Sequence, residues 1–182
     1  RIASVIGISM NFEHRVTVIG GGSFGTVLAN IVAHNGFPVR LWMRDRALAQ
    51  EIRQTRVNSR YVPGLNLHED LEIVTDFSVC ISEADTIIFS VPSKAFRGVL
   101  EQAKSHINPQ QNLVTTAKGI EPEKFLLMSQ VLEVFFPDNP IGVISGPNLA
   151  KEVAAKQLTG TVIASDNEAL RQQVQDILQC HF

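Results

Sequence analysis

Hydrophobic and polar positions alternate between two periods along nearly the whole chain. Short β-branched runs are each followed by a segment whose apolar residues recur every three or four positions. Arg15-Val16-Thr17-Val18-Ile19 reads as a first strand that breaks on Gly20-Gly21-Gly22. From Phe24 to Asn35 the spacing sets Val27, Leu28, Ile31 and Val32 on one helical face, and Gly36 stops the helix. Val39–Trp42 is the second strand and Ala47 to Thr55 the second helix; Leu71–Val74 and Phe77–Ser82 repeat the unit. Thr86–Val91 is almost wholly apolar, as a strand covered on both faces must be. Ser93 is placed to cap a helix reaching Ser105. Asn112–Thr116 and a helix over Phe125–Phe136 follow, then Ile141–Ser145 with Leu149–Ala155, and finally Thr161–Ala164 with Asn167–Leu178.

Strands that alternate with helices imply crossover after crossover, hence an α/β, doubly wound, mostly parallel sheet of the Rossmann-like class. No repeat, low-complexity tract or Gly/Ser linker interrupts the pattern, and Pro137-Asp138-Asn139-Pro140 is a tight connection only, so residues 15–182 read as one domain. Residues 1–14 read as a leader or upstream segment, with Met10 the natural start. The apolar stretch near Ile2–Ile8 is far short of the roughly 20 residues that a spanning helix needs. The sequence stops directly after a helical pattern, where a doubly wound domain invites a further strand or domain.

Composition narrows the chemistry. Sixteen basic and eighteen acidic side chains leave a formal charge of −2 without a block of either sign, which argues against nucleic acid or an anionic membrane as partner. Two cysteines, Cys80 and Cys180, make neither a disulfide framework nor a zinc cluster, so a reducing cytoplasm is the economical compartment. The five histidines show no ligand spacing, and the serines no nucleophile elbow. No metal is expected.

The strongest chemical signal is Gly20-Gly21-Gly22-Ser23-Phe24-Gly25, which fits G-x-G-x-x-G between a strand and a helix. Gly20 permits the tight turn, Gly22 lets a pyrophosphate approach the backbone, and Gly25 lets the helix lie close; the first helical amides then face the phosphates. A glycine-rich turn without a ligand is the plainer alternative. At the end of the second strand an acidic residue would bond a ribose 2′-hydroxyl, whereas an arginine fork would pair a 2′-phosphate. This chain offers both, Arg44 and then Asp45, so NAD and NADP stay open, with a lean towards NADP being accepted. Two more loops follow strands at the edge where open α/β sheets bind ligands. Lys118, in Thr115–Gly119, is suited to holding an anion or polarising a carbonyl. In Ser145–Ala150, Gly146, Pro147 and a helix-capping Asn148 form a turn whose amides suit a phosphate or carboxylate.

These segments together resemble the cofactor domain of NAD(P)-dependent glycerol-3-phosphate dehydrogenases of the bacterial biosynthetic type. The resemblance rests on Gly20–Thr26, Leu41-Trp42, Asn58–Pro63, Val91-Pro92-Ser93, Ala117–Glu121 and Val143–Glu152, in that order along the chain. It implies reversible hydride transfer between dihydroxyacetone phosphate and sn-glycerol 3-phosphate, feeding glycerophospholipid synthesis. It implies that Gly20, Gly22, Ser23, Phe24, Gly25, Arg44, Tyr61, Lys118 and Ala150 contact NADP or NAD, and that Lys118, Gly146 and Asn148 contact the phosphorylated substrate. Asn148 departs from the Ser or Thr frequent in the family, although an amide still donates. By the same resemblance the proton-donor lysine lies in an all-helical second domain past Phe182. None of Lys104, Lys118, Lys124, Lys151 and Lys156 takes its place, so this chain alone is expected to bind cofactor without turnover. A homodimer of the full-length protein is compatible with the resemblance, and a non-catalytic nucleotide-sensing domain is the rival reading.

Overall fold

The computed structural model describes residues 13–122, 124–155, 157 and 159–179. Seven strands form one sheet: β1 (Val16–Ile19), β2 (Val39–Trp42), β3 (Leu71–Val74), β4 (Thr86–Phe89), β5 (Asn112–Thr115), β6 (Ile141–Ser145) and β7 (Val162–Ala164). Their spatial order is β3-β2-β1-β4-β5-β6-β7, and the first six are parallel. The helices between them are α1 (Ser23–His34), α2 (Arg46–Thr55), α3 (Phe77–Ser82), α4 (Ser93–Ala103), α5 (Met128–Phe135), α6 (Ala150–Ala154) and α7 (Glu168–Leu178).

The period-2 pattern of the strands fills two cores, one on each face of the sheet. Val16, Val18, Leu41 and Ile88 face α1, α2 and α7 and pack with Leu28, Val32, Ile52, Leu170 and Val174. Ile19, Ile87, Phe89 and Leu113 point the other way, onto Phe77, Ile81, Phe96, Leu100 and Leu132 of α3, α4 and α5. Burial on both faces is why these strands read as continuous apolar runs. Two polar side chains inside find backbone partners: Thr17 Oγ1 donates to Cys80 O at 2.6 Å, and Gln111 Nε2 donates to Ile81 O and Ala84 O at 2.8 and 2.7 Å.

Strand order reverses between β1 and β4, which creates a crevice at their carboxyl ends; in open α/β sheets that is where ligands sit.

The sheet is mostly parallel, as expected, with one antiparallel strand, and three local expectations are corrected. β7 runs antiparallel to β6. The five residues of α6 advance only about 7 Å, too little to cross the sheet. The chain therefore returns to the edge it left, where Gly160 O stands 2.3 Å from the position a Gly146 Cβ would take. The fifth helix begins at Met128 and not Phe125. Ile120 bridges Leu127, Glu121 N donates to Leu126 O at 2.8 Å, and Phe125 adopts a positive φ of 56°. Ser93 is the first residue of α4 and does not cap it, because Pro92 occupies the N-cap position. Asn148 does not cap α6 either, since Leu149 holds that place.

The leader reading falls on residues outside those described, apart from Glu13 and His14. His14 already belongs to the fold, with Nε2 2.8 Å from Thr86 Oγ1. Cys180 and His181 also lie outside the described residues.

Candidate functional site

At the carboxyl end of β1 the backbone turns sharply. Gly20 has φ +122°, and a Cβ there would lie 2.3 Å from Ser90 O, the first residue after β4, so no other side chain fits. A Cβ on Gly21 would meet Met43 Cε at 2.5 Å, and one on Gly25 would meet Gly20 O at 2.0 Å. These three glycines are required by the protein's own packing. Gly22 is different: a Cβ there would meet nothing within 4 Å. The space its missing side chain leaves is open and lies at the head of α1, a twelve-residue helix. Among the described residues no side chain caps that N-terminus, and no acidic residue lies in its first turn, so nothing within the helix itself offsets its leading amides and positive dipole end. An anion at this place fits the groups present.

The walls come from two loops. Ser23 Oγ donates to Tyr61 O at 3.0 Å, and the Arg60 guanidinium lies over the Tyr61 ring at 5.4 Å. Ser23, Tyr61, Pro63, Leu65 and Ala150 share a cavity of about 320 Å³, which brings together three residues named from the sequence. Phe24 is half-buried against the α1 side of the core.

Asn58, which lies in the segment Asn58–Pro63 but was assigned no role of its own from the sequence, holds these walls in place. Asn58 is fully buried; its Nδ2 donates to Gly21 O at 3.1 Å and to Thr26 Oγ1 at 2.9 Å. Its backbone carbonyl accepts from Tyr61 N at 3.2 Å and Val62 N at 2.8 Å. An asparagine in a loop reads as a turn former, and nothing in its spacing signals a bond to a residue 37 positions earlier.

The end of β2 separates Arg44 from Asp45. Asp45 is the N-cap of α2: its Oδ1 accepts from Leu48 N at 3.0 Å, and its Oδ2 lies 3.5 Å from Arg60 Nη1. One oxygen of its carboxylate is used by the helix, and the other is exposed beside Arg60. Arg44 is exposed and lines a cavity of about 580 Å³ with Trp42, Arg46, Thr75, Ser78 and His106. Trp42 stiffens that wall through an edge contact with Phe77, centroids 4.8 Å apart, and an Nε1 bond to Thr75 O at 3.3 Å.

The third group lies beyond β5 and β6. Lys118 Nζ donates to Gly146 O at 3.4 Å, so the two loops singled out from the sequence meet. Gly146 has φ +138°. Asn148 is buried, with Nδ2 donating to Thr161 Oγ1 at 3.2 Å. The Lys118 loop is anchored at Glu121, whose carboxylate is reached by Arg97 Nε and Nη2, both at 2.7 Å, and by Lys124 N at 3.0 Å. The Arg97 bond, then the Lys124 amide, hold the Glu121 carboxyl below the usual carboxylate range, and Ser78 and Val79 do the same for Asp76 at the head of α3. Burial lowers His14 from its ordinary 6.5.

All three shifts favour the deprotonated form in the folded protein, so each contribution is complete above the group's ordinary pKa and is lost as pH falls through the folded one. Thermal stability is therefore expected to decline first below about pH 6.5, through His14, then below about pH 4.5, through Glu121, and below about pH 3.8, through Asp76 as well. Melting temperature measured from pH 8 to 3 checks this. A curve flat to pH 4, or a Glu121→Gln variant with an unchanged acid limb, would contradict it.

Among the described residues no group of three His, Cys, Asp or Glu side chains could hold a metal, and no helix is long and apolar enough to cross a membrane.

Known proteins share this sequence pattern and fold. Residues 15–171 match the family model of the NAD-dependent glycerol-3-phosphate dehydrogenase N-terminus. A glycerol-3-phosphate dehydrogenase [NAD(P)+] of Saccharophagus degradans is 45% identical over 169 residues, which are 93% of this chain and 47% of that protein. One from Teredinibacter turnerae is 47% identical over 163 residues, 90% of this chain and 48% of that protein. The crystal structure of the Coxiella burnetii glycerol-3-phosphate dehydrogenase superposes with a TM-score of 0.88 at 32% identity, covering 93% of this chain and 52% of that one. The chain thus spans about half the length of the curated relatives it matches. With its fold, its glycine turn and its family model in agreement, the chain belongs to the family of the NAD-dependent glycerol-3-phosphate dehydrogenase N-terminus.

Proposed function

We propose that this chain holds NADPH or NADH across the β1/β4 crevice and serves hydride exchange between dihydroxyacetone phosphate and sn-glycerol 3-phosphate, the entry to glycerophospholipids. The observation that carries the reading is Gly22, the one glycine of Gly20–Gly22 whose missing side chain leaves open space and not a packed contact. A bound nicotinamide dinucleotide supplies the hydride. The chain's own residues bind and orient: the amides at Gly22–Gly25 take the diphosphate, with Gly20 setting the turn, and Ser23, Phe24, Tyr61 and Ala150 wall the cavity beside it. Arg44, exposed and beside a cavity, suits the adenosine end, while Asp45 is committed to α2, which favours acceptance of a 2′-phosphate alongside NAD.

Lys118, Gly146 and Asn148 are the residues we assign to the phosphorylated substrate. Lys118 and Gly146 meet at the crevice-side ends of β5 and β6, and a lysine there holds an anion as a compact charge. Proton donation is assigned to none of the described lysines, and turnover belongs to the full-length protein, of whose relatives this chain matches about half. A cytoplasmic homodimer is the setting we propose for it.

In the full-length enzyme Lys118→Ala is expected to raise the KM for dihydroxyacetone phosphate about 10- to 100-fold, the loss of one charge-assisted hydrogen bond. Steady-state kinetics checks this. Unchanged KM and kcat, or turnover of ketopantoate or 6-phosphogluconate in its stead, would contradict the reading. So would reduction of dihydroxyacetone phosphate by the 182-residue chain alone.

A further inference from the structure

We infer that Asn58 is a positioning residue for the dinucleotide diphosphate: it fixes the Gly21–Gly22 peptide plane and ties the Tyr61 loop to it. The inference rests on the reading of the glycine turn as the diphosphate site. Asn58 lies in neither a helix nor a strand, two residues past Arg56, whose left-handed conformation ends α2. Yet it is fully buried and both bonds of its Nδ2 run to the glycine segment, to Gly21 O and Thr26 Oγ1. Its Oδ1 has no partner among the described residues. Burying an unmatched acceptor is unfavourable, so stability alone is a poor account of an amide at this position; the two donated bonds are what it supplies.

The geometry gives those bonds a consequence. The Gly21–Gly22 peptide is planar and trans, so holding its carbonyl oxygen towards Asn58 turns the Gly22 N–H to the opposite side. Gly22 N is the amide at the N-cap of α1, beside the open space left by the missing Cβ. Without the Asn58 bond that peptide plane is free to rotate, and an amide aimed at a diphosphate becomes one that must be ordered on binding. The same residue closes a ring: Asn58 O accepts from Tyr61 N and Val62 N, and Tyr61 O accepts from Ser23 Oγ. Residues 58–62 and 21–26 therefore form one hydrogen-bonded unit, and Tyr61 is a fixed wall of the site and not a loose flap.

The test compares three variants of the full chain. Asn58→Ala removes both bonds; Asn58→Asp keeps the shape but sets an acceptor against Gly21 O; Thr26→Val removes the second bond and leaves Gly21 untouched. NADH and NADPH are titrated calorimetrically, with melting temperature measured on the same samples. Asn58→Ala and Asn58→Asp are expected to weaken both dinucleotides by the same factor, 10- to 100-fold, because the diphosphate is common to both. Thr26→Val is expected to lower the melting temperature while leaving both affinities within threefold. Two results overturn the inference alone: either folded Asn58 variant binding within threefold of the unaltered chain, or Thr26→Val losing as much affinity as Asn58→Ala. If neither Asn58 variant folds, Asn58 is a stability residue and the inference is likewise overturned. If the unaltered chain binds neither dinucleotide, the reading of the site falls, and this inference with it.

Discussion

Gly25→Ala is expected to destabilise the domain by about 3 kcal/mol, the upper end of what overpacking costs, and to abolish dinucleotide binding. The added methyl would stand 2.0 Å from Gly20 O and 3.2 Å from Ser90 Cβ. Neither neighbour can yield cheaply. Gly20 O is backbone in the turn that Gly20's φ of +122° already constrains, and Ser90 is pinned by the hydrogen bond its amide donates to Ile19 O at 2.8 Å. Relief requires α1 to lift from β1 and β4, which separates Leu28 and Val32 from Val18 and Ile88 on the buried face. For a domain of this size the melting temperature should fall by about 6–12 °C. Circular dichroism melts check it, and a variant within 2 °C of the parent would show that the helix–strand approach is looser than these contacts require.

Gly22→Val should behave in the opposite way, losing binding without losing the fold. Its backbone (φ −75°, ψ −174°) is extended, which suits a β-branched residue, and a Cβ there touches nothing. The melting temperature should stay within a few degrees. The isopropyl group would fill the space over the first amides of α1 and hold a diphosphate out of hydrogen-bond range. Two charge-assisted bonds at roughly 1.5 kcal/mol each correspond to an affinity loss on the order of 100-fold. Calorimetric titration with NADH against parent protein is the check; retained affinity would place the diphosphate elsewhere. The contrast between the two variants separates a glycine needed by the protein from one needed by its ligand.

Much of this was legible in the sequence because period and punctuation act locally. β1, β2 and β3 fall where the β-branched and apolar runs fall, and Gly20-Gly21 marks the turn because a Cβ at either position would collide with Ser90 O or Met43. Membership in the glycerol-3-phosphate dehydrogenase family was legible through segments far apart in the chain, and the comparisons bear it out. What was not legible depends on contacts distant in sequence. Phe125–Leu127 has helical composition, but the Glu121 carboxylate is drawn to Arg97 and to Lys124 N, and the bond from Glu121 N to Leu126 O delays the helix to Met128. Asn148 has the chemistry of a cap, yet its amide is taken by Thr161 from the strand side. β7 has strand composition, and only the short reach of α6 decides its direction. Asp45 and Arg44 are adjacent and equally suited on paper; the amide of Leu48 separates their roles.

The most direct test of the account is where a dinucleotide comes to rest. With the chain isotopically labelled and NADH or NADPH titrated in, saturable shifts are expected, concentrated in the amides of Gly22–Gly25 and Tyr61. A folded chain that binds neither nucleotide, or that binds one while residues 20–25 stay unmoved, would contradict it.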